Sequence, residues 1–211
     1  MPHLLAMSVL GIGLLDADQY EDALSVQEAE LSMLRRTGAS GKNILASMSN
    51  IATTYEMLGR LEEALPIKQD VYSGFVKLYG KQHRSTLLCA SNYALSLCKL
   101  QREEEGKSLI RKTMPLAQRV LGETDDVTLG MRKLYGMTLY RDPSAALDDL
   151  REAVTTLEDT ERIARRVLGG AHPEVMDIER KLRQSRAALR ARETPPSDSR
   201  EDGDLDGVEN A

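Results

Sequence analysis

The chain has 211 residues, of which 41% are hydrophobic and 29% are charged, so it is long enough to bury the core of one globular or solenoid domain. It contains no Trp and one Phe, which argues against a large aromatic pocket. The net charge of −5 comes from the end of the chain, where six acids and one arginine follow Thr194 and leave 27 charges of each sign before it. A neutral body is a poor candidate for binding nucleic-acid phosphates.

Apolar residues at helical spacing predict nine helices, at about 4–17, 20–36, 43–58, 61–79, 84–100, 103–121, 126–140, 146–168 and 173–192. Residues 4–15 are apolar, but they lack a basic flank, are too short to span a bilayer and contain two glycines. We therefore interpret them as the first helix, and not as a signal or membrane segment. Pro66 and Pro115 fall inside predicted helices, and we expect each to bend its helix.

The helices form a repeat with a period of about 42 residues. Asn50-Ile51-Ala52 returns as Asn92-Tyr93-Ala94 and again as Leu134-Tyr135-Gly136. The first copy is offset by 41 residues, and the fourth has five residues inserted near 141–147, where the turn between its two helices should lie. Neither helix of a pair can bury its apolar stripe alone, so the pattern predicts that the pairs stack against one another.

Small residues recur where the two helices of each pair should cross. A larger side chain there would push the helix axes beyond their usual separation of about 8–10 Å. The first helices carry Gly11, Ala52, Ala94 and Gly136 at this place, and the second helices carry Ala23, Ala64, Gly106 and Ala153.

Two segments carry a resemblance to a known family. Residues 50–65, N-I-A-T-T-Y-E-M-L-G-R-L-E-E-A-L, and residues 166–175, R-V-L-G-G-A-H-P-E-V, resemble the tetratricopeptide repeats (TPRs) of the kinesin light chain and nephrocystin-like class. The resemblance covers roughly residues 7–185 and implies an all-α, right-handed α-solenoid of about four helix-turn-helix units with a C-terminal capping helix. We place the units at about 4–38, 43–80, 84–122 and 126–169, and the capping helix at 173–192, within a solenoid of residues 1–193.

The end of the chain departs from the repeat. Arg183 falls where the second and third repeats have Ala52 and Ala94, which suits a surface facing water and indicates a solvating cap. Residues 194–211 contain almost no apolar side chains, and we predict a disordered acidic tail. Two roles stay open for the tail: a solubilising segment, or a competitor that folds back onto the basic last helix or into the groove.

No pattern in the sequence predicts catalysis. His83 and His172 occupy the same place in their repeats, three residues after the glycine that ends a helix, and we interpret both as capping residues. Cys89 and Cys98 lie nine residues apart on one predicted helix, so they point to different faces and cannot pair. Free thiols favour a reducing compartment, and we expect a cytoplasmic location. Metal-ligand spacings, phosphate-binding loops and nucleophile elbows are absent from the sequence, so we expect no metal, no cofactor and no enzymatic activity.

The resemblance implies a groove whose concave wall is built by the first helix of each repeat. The candidate peptide-binding residues are Asn50, Thr53, Met57, Asn92, Leu95, Lys99, Lys133, Met137 and Arg141, and Glu56 and Cys98 are expected on the same wall. In TPR proteins that clamp extended peptides, the asparagine before the I/L-A pair often holds the ligand backbone, and Asn50 and Asn92 match it. The alternative is that these amides bond only within the repeat. Lys99, Lys133 and Arg141 favour an acidic peptide or one with a C-terminal carboxylate.

Three functions follow from this organisation. The leading one is a non-enzymatic protein–protein interaction adaptor that binds a peptide segment of a partner in the groove, without nucleic-acid or membrane partners. The alternative is a structural or self-assembling repeat protein that makes weak contacts through its stack ends or convex face and has no groove ligand. The third is an enzyme whose active site the repeat conceals.

Overall fold

The computed structural model describes the backbone of residues 2–194, with side chains from residue 5 onward. These residues form nine α-helices and no strand: α1 (Pro2–Asp16), α2 (Tyr20–Arg36), α3 (Gly41–Met57), α4 (Leu61–Tyr79), α5 (Arg84–Lys99), α6 (Glu103–Leu121), α7 (Asp126–Arg141), α8 (Leu147–Leu168) and α9 (Pro173–Glu193). All nine helices were predicted, with ends within two residues of those observed. The predicted acidic tail lies outside the described residues beyond Thr194, and the division into solenoid and tail stays a prediction.

The helices stack in chain order, each packing against the next. The odd-numbered helices α5, α7 and α9 also pack directly against one another, whereas no two even-numbered helices of the described chain do so to a comparable extent. The stack therefore closes more tightly on the side of the odd-numbered helices. We call the exposed side of α3, α5, α7 and α9 the inner wall.

Small residues set the distance between the two helices of each pair, and all eight predicted at these crossings are buried. A Cβ atom on Gly106 would lie 2.7 Å from the Sγ of Cys98 and 3.1 Å from the carbonyl oxygen of Ala94, across the α5–α6 crossing. A Cβ atom on Gly136 would lie 2.7 Å from the Cγ of Leu157, across the α7–α8 crossing. The steric interpretation of the small residues is confirmed.

The ends of the helices follow the repeat as well. Gly80, Gly122 and Gly169 end α4, α6 and α8 with φ angles of 79°, 89° and 83°, which side chains other than glycine rarely adopt. His83 and His172 begin the next helices, and the Nδ1 of each accepts the backbone N–H two residues further on at 3.2 Å. The capping role predicted for both histidines is confirmed.

The inserted segment and the two internal prolines lie where they were predicted. α7 ends at Arg141 and α8 begins at Leu147, so residues 142–146 form the longer connection. In this turn, Asp142 Oδ1 accepts the backbone N–H of Ser144 at 2.8 Å. Pro66 lies inside α4 and Pro115 inside α6. The bend expected at each proline stays a prediction.

The two cysteines are free and buried in different parts of the core. Cys89 packs with Val71 and Phe75, whereas Cys98 belongs to a cluster that includes Ile110. Burial raises the pKa of both thiols to about 11, so both stay protonated at neutral pH. The prediction that they point to different faces is confirmed.

The last helix ends the described stack with a charged surface. Arg183 of α9 is exposed, while its repeat equivalents Ala52 and Ala94 are fully buried under the second helices of their pairs. No described helix covers α9 on this side, which is why an arginine can occupy the position.

We predict that Gly106→Ala lowers the free energy of unfolding by about 1–3 kcal/mol, because the added methyl group meets a backbone carbonyl that can retreat only if α5 and α6 separate. Gly130→Ala is the matched control. Gly130 lies inside α7 with no atom within 4 Å of the added Cβ, so alanine should stabilise the helix by about 0.5–1 kcal/mol. Thermal and urea unfolding followed by circular dichroism measure both. Equal changes in the two variants would contradict close contact at the α5–α6 crossing.

Candidate functional site

Two asparagine side chains stand on the inner wall without partners. Asn50 of α3 and Asn92 of α5 are exposed, because the two residues that follow each of them are used in packing, and both Ala52 and Ala94 are fully buried. Neither side-chain amide makes a hydrogen bond within residues 5–194, so the alternative of bonding inside the repeat has no support in the described chain. Each amide can still donate and accept one or more hydrogen bonds.

The remaining candidates on α3 and α5 differ in how free they are. Met57 is 58% exposed and Leu95 is 36% exposed, so both offer apolar surface on the inner wall. Thr53 Oγ1 donates a hydrogen bond to the carbonyl oxygen of Ser49 at 3.0 Å, which occupies its proton. Glu56 and Cys98, which the sequence predicted to face the groove, instead have buried side chains. For these two residues the sequence-based prediction is wrong.

A cavity of about 290 Å³ opens on the inner wall between α5, α7 and α9. Leu134 and Met137 are buried and give it an apolar floor, and the half-exposed Leu95 extends this surface. Three of the predicted residues, Leu95, Lys133 and Met137, are thus brought together. The cavity is lined by Ser91, Leu95, Gly130, Lys133, Leu134, Met137, Asp177, Arg180 and Lys181.

Two of the three predicted positive charges are neutralised inside the chain. Lys99 Nζ lies 3.0 Å from Glu56 Oε2. Lys133 Nζ lies 2.9 Å from a carboxylate oxygen of Glu174 and of Asp177 on α9. Burial of Lys133 favours its neutral form, but these two carboxylates outweigh burial and raise the pKa of the amine. Neither lysine is therefore a free cation for a ligand.

The unpaired positive charge lies on Arg141 and Lys181. Neither side chain has an ion pair within residues 5–194; Arg141 is exposed at the end of α7, and Lys181 is half-buried in the cavity wall. Burial lowers the pKa of Lys181 below its ordinary value, and the positive charges of Arg180, Lys133 and Arg141 act in the same direction against Asp177. An anion in this place would relieve that repulsion.

A buried ion network ties the first half of the inner wall together. Glu56 of α3 accepts from Lys68 of α4 at 2.7 Å and from Ser96 and Lys99 of α5. Burial favours the neutral form of Glu56, but these three donors outweigh it and lower the pKa of the carboxyl group. For Lys68 burial prevails over Glu56, and the pKa of the amine is lowered. One carboxylate thus links three helices of two repeats.

Other kinds of site find no support in the described chain. Within residues 5–194 no group of three His, Cys, Asp or Glu side chains is arranged to hold a metal ion. None of the helices in the described range is both long and apolar enough to cross a membrane.

Comparison with known proteins decides the family. Residues 4–75 match the tetratricopeptide-repeat family model. The fold is similar to a putative kinesin light chain of Podosopora anserina with nearly identical TPR-like repeats, with a TM-score of 0.73 and 19% identity over 90% of this chain and 89% of that one. The chain is a tetratricopeptide-repeat protein.

Further structural relatives agree with this assignment. A single-residue variant of the same Podosopora anserina protein gives a TM-score of 0.75 at 19% identity, over 90% of this TPR chain and 88% of that one. BtubC (BKLC) from P. vanneervenii gives a TM-score of 0.67 at 15% identity, over 89% of this chain and 77% of that one. No curated protein matches the chain.

Sequence reasoning missed the part that α9 plays in this TPR protein. Lys181 lies 47 residues after Leu134, the step that also separates Gly169 from Gly122, so it occupies the inner-wall position of Asn50 and Asn92. Extending the repeat register into α9 would have found it. The last helix is therefore both a solvating cap on one side and a wall of the cavity on the other.

We predict that Glu56→Met alone destabilises this TPR protein by about 3–5 kcal/mol, because it leaves the amine of Lys68 buried without a carboxylate. The double variant Glu56→Met/Lys68→Ile should recover much of this loss, since it replaces the buried pair by apolar side chains of similar size. Urea unfolding of the wild type, both single variants and the double variant forms a thermodynamic cycle that measures the coupling. A double variant no more stable than Glu56→Met would show that the ion pair is not what the stability depends on.

Proposed function

We propose that this TPR protein is a non-enzymatic adaptor whose inner wall binds an extended peptide segment of a partner protein. The observation that carries the proposal is the pair of exposed, unpartnered amides of Asn50 and Asn92 on neighbouring helices of a repeat stack. An amide donates and accepts at once, so it can satisfy the N–H and C=O groups of a peptide backbone whatever the side-chain sequence. The TPR fold supports the proposal because it supplies a continuous wall for such a segment.

The cavity at α5, α7 and α9 suggests which peptide fits. Its floor of Leu134 and Met137 would take one apolar side chain of the peptide. The unpaired cations Arg141 and Lys181 would take a carboxylate next to it, from an acidic residue or from the C-terminus. This placement differs from the one expected from the sequence, since Lys99 and Lys133 hold internal carboxylates. We further propose a reducing, cytoplasmic location, on the grounds of the two free cysteines.

The second candidate function is a structural or self-assembling repeat protein. Its supporting observation is the apolar surface of α1, where Leu5 is 69% exposed and Val9 is 61% exposed. A pure scaffold of this kind would leave the inner wall empty. Substitutions on the inner wall would then have no effect on any partner.

The peptide proposal can be tested without a known partner. Peptides are selected on the full chain from a random phage-displayed library, and the affinity of the enriched sequences is measured by fluorescence polarisation. We predict that Asn50→Ala/Asn92→Ala weakens binding by roughly tenfold, because it removes about 1 kcal/mol of hydrogen bonding at each amide. Gln69→Ala, which removes an exposed amide from the even-numbered helix α4, is the matched control and should bind like the wild type. Failure to enrich any peptide, or equal binding by the double asparagine variant, would refute the groove.

The charge component has a separate test. Enriched peptides should carry an apolar residue beside Asp, Glu or a free C-terminus, and Lys181→Gln should weaken their binding and reduce its dependence on salt. Lys77→Gln, which removes an exposed lysine from α4, should change neither. Amidating the peptide C-terminus distinguishes a terminal carboxylate from an internal acid. Enriched peptides without any carboxylate requirement would contradict the assignment of Arg141 and Lys181.

A further inference from the structure

The first helix of the stack carries more exposed apolar surface than its packing explains. Leu5, Val9, Leu10 and Ile12 are 69%, 61%, 53% and 54% exposed, although a helix that is apolar on most sides is normally covered on most sides. Leu5, Val9 and Ile12 are spaced by four and three residues and form one stripe, with Leu10 beside it. These four residues are called the α1 face below.

The repeat shows what covers this region in the other odd-numbered helices. Leu10 is equivalent to Ile51, Tyr93 and Tyr135, each of which lies against the preceding even-numbered helix. Tyr93 stacks on Tyr72 of α4 with ring centroids 6.3 Å apart, and the Tyr135 hydroxyl accepts from Arg111 Nε of α6 at 3.1 Å. Ile51, beside α2, is only 4% exposed. No described helix takes this position against Leu10.

The two ends of the described stack are unlike in charge. α1 carries a single Asp, Glu, Lys or Arg residue, Asp16, at its last position. The outward side of α9 carries the exposed Arg183, and Arg186 there pairs with Glu158. Docking the α1 face onto the α9 end of another copy would bury Arg183 against leucine and valine without a carboxylate, which is unfavourable. The α1 face can meet a second α1 face with no such cost.

We propose that the α1 face is the interface of a symmetric homodimer, in which the α1 helices of two copies pack against each other through Leu5, Val9, Leu10 and Ile12. Gly13 lies beside this surface, and a Cβ added to it would have no atom within 4 Å, so it offers room for a second helix to approach. Because the same face is used by both copies, the contact closes on itself and does not propagate into a filament. The inner walls of the two copies then belong to one assembly with two ligand sites.

The dimer is tested by light scattering after size-exclusion chromatography, on the full chain over a series of concentrations. The wild type should approach twice the chain mass of 23.4 kDa as concentration rises, and Leu10→Glu should stay at 23.4 kDa. Leu88→Glu is the matched control, because it places the same charge at an exposed leucine on the inner wall of α5 and should leave the dimer intact. Circular dichroism checks that both variants retain the helical content of the wild type.

Four outcomes would overturn the proposal. The first is a wild type that stays monomeric at every concentration, and the second is a dimer that persists in Leu10→Glu. The third is mass that grows beyond a dimer with concentration, which would indicate head-to-tail stacking. The fourth is a monomer that sediments with phosphatidylcholine vesicles in a manner abolished by Leu10→Glu, which would assign the α1 face to a lipid surface.

Discussion

The close approach of the two helices in each pair is the constraint on which the structure depends. At the α5–α6 crossing the space beside Gly106 is filled by the Sγ of Cys98 and a backbone carbonyl, which leaves no room for even one methyl group. This contact fixes which face of each first helix turns toward its partner. The opposite face is then left for the inner wall, so the exposure of Asn50 and Asn92 follows from the smallness of Ala52 and Ala94.

Most of the fold could be predicted from the sequence because its determinants are local and repeated. Apolar spacing located all nine helices, and the step of about 42 residues aligned their small residues before any contact was known. The glycine that ends one helix and the acceptor that begins the next, as in Gly80 and His83, gave the boundaries. Each copy of the pattern supports the assignment of the others, which a single helix pair cannot do.

The site was less predictable, because the charge state of a wall depends on contacts between repeats. Position in the register correctly identified Asn50 and Asn92 as exposed, since one helix determines that. It could not show that Lys133 would meet Glu174 and Asp177, which lie more than 40 residues away and on a helix interpreted as a cap. The buried state of Glu56 was missed for the same reason: a glutamate at an exposed-looking position is drawn inward by Lys68 from the neighbouring helix.

The Glu56 network makes one junction of the stack unlike the next. One repeat further along, 42 residues later, the positions of Glu56 and Lys68 are held by Cys98 and Ile110, both buried in an apolar cluster. Exchanging the second repeat for the third would therefore set a charged group against an apolar one at two boundaries. Although they share one pattern, these units are not interchangeable modules, and their order along the chain is enforced by chemistry that the period itself conceals.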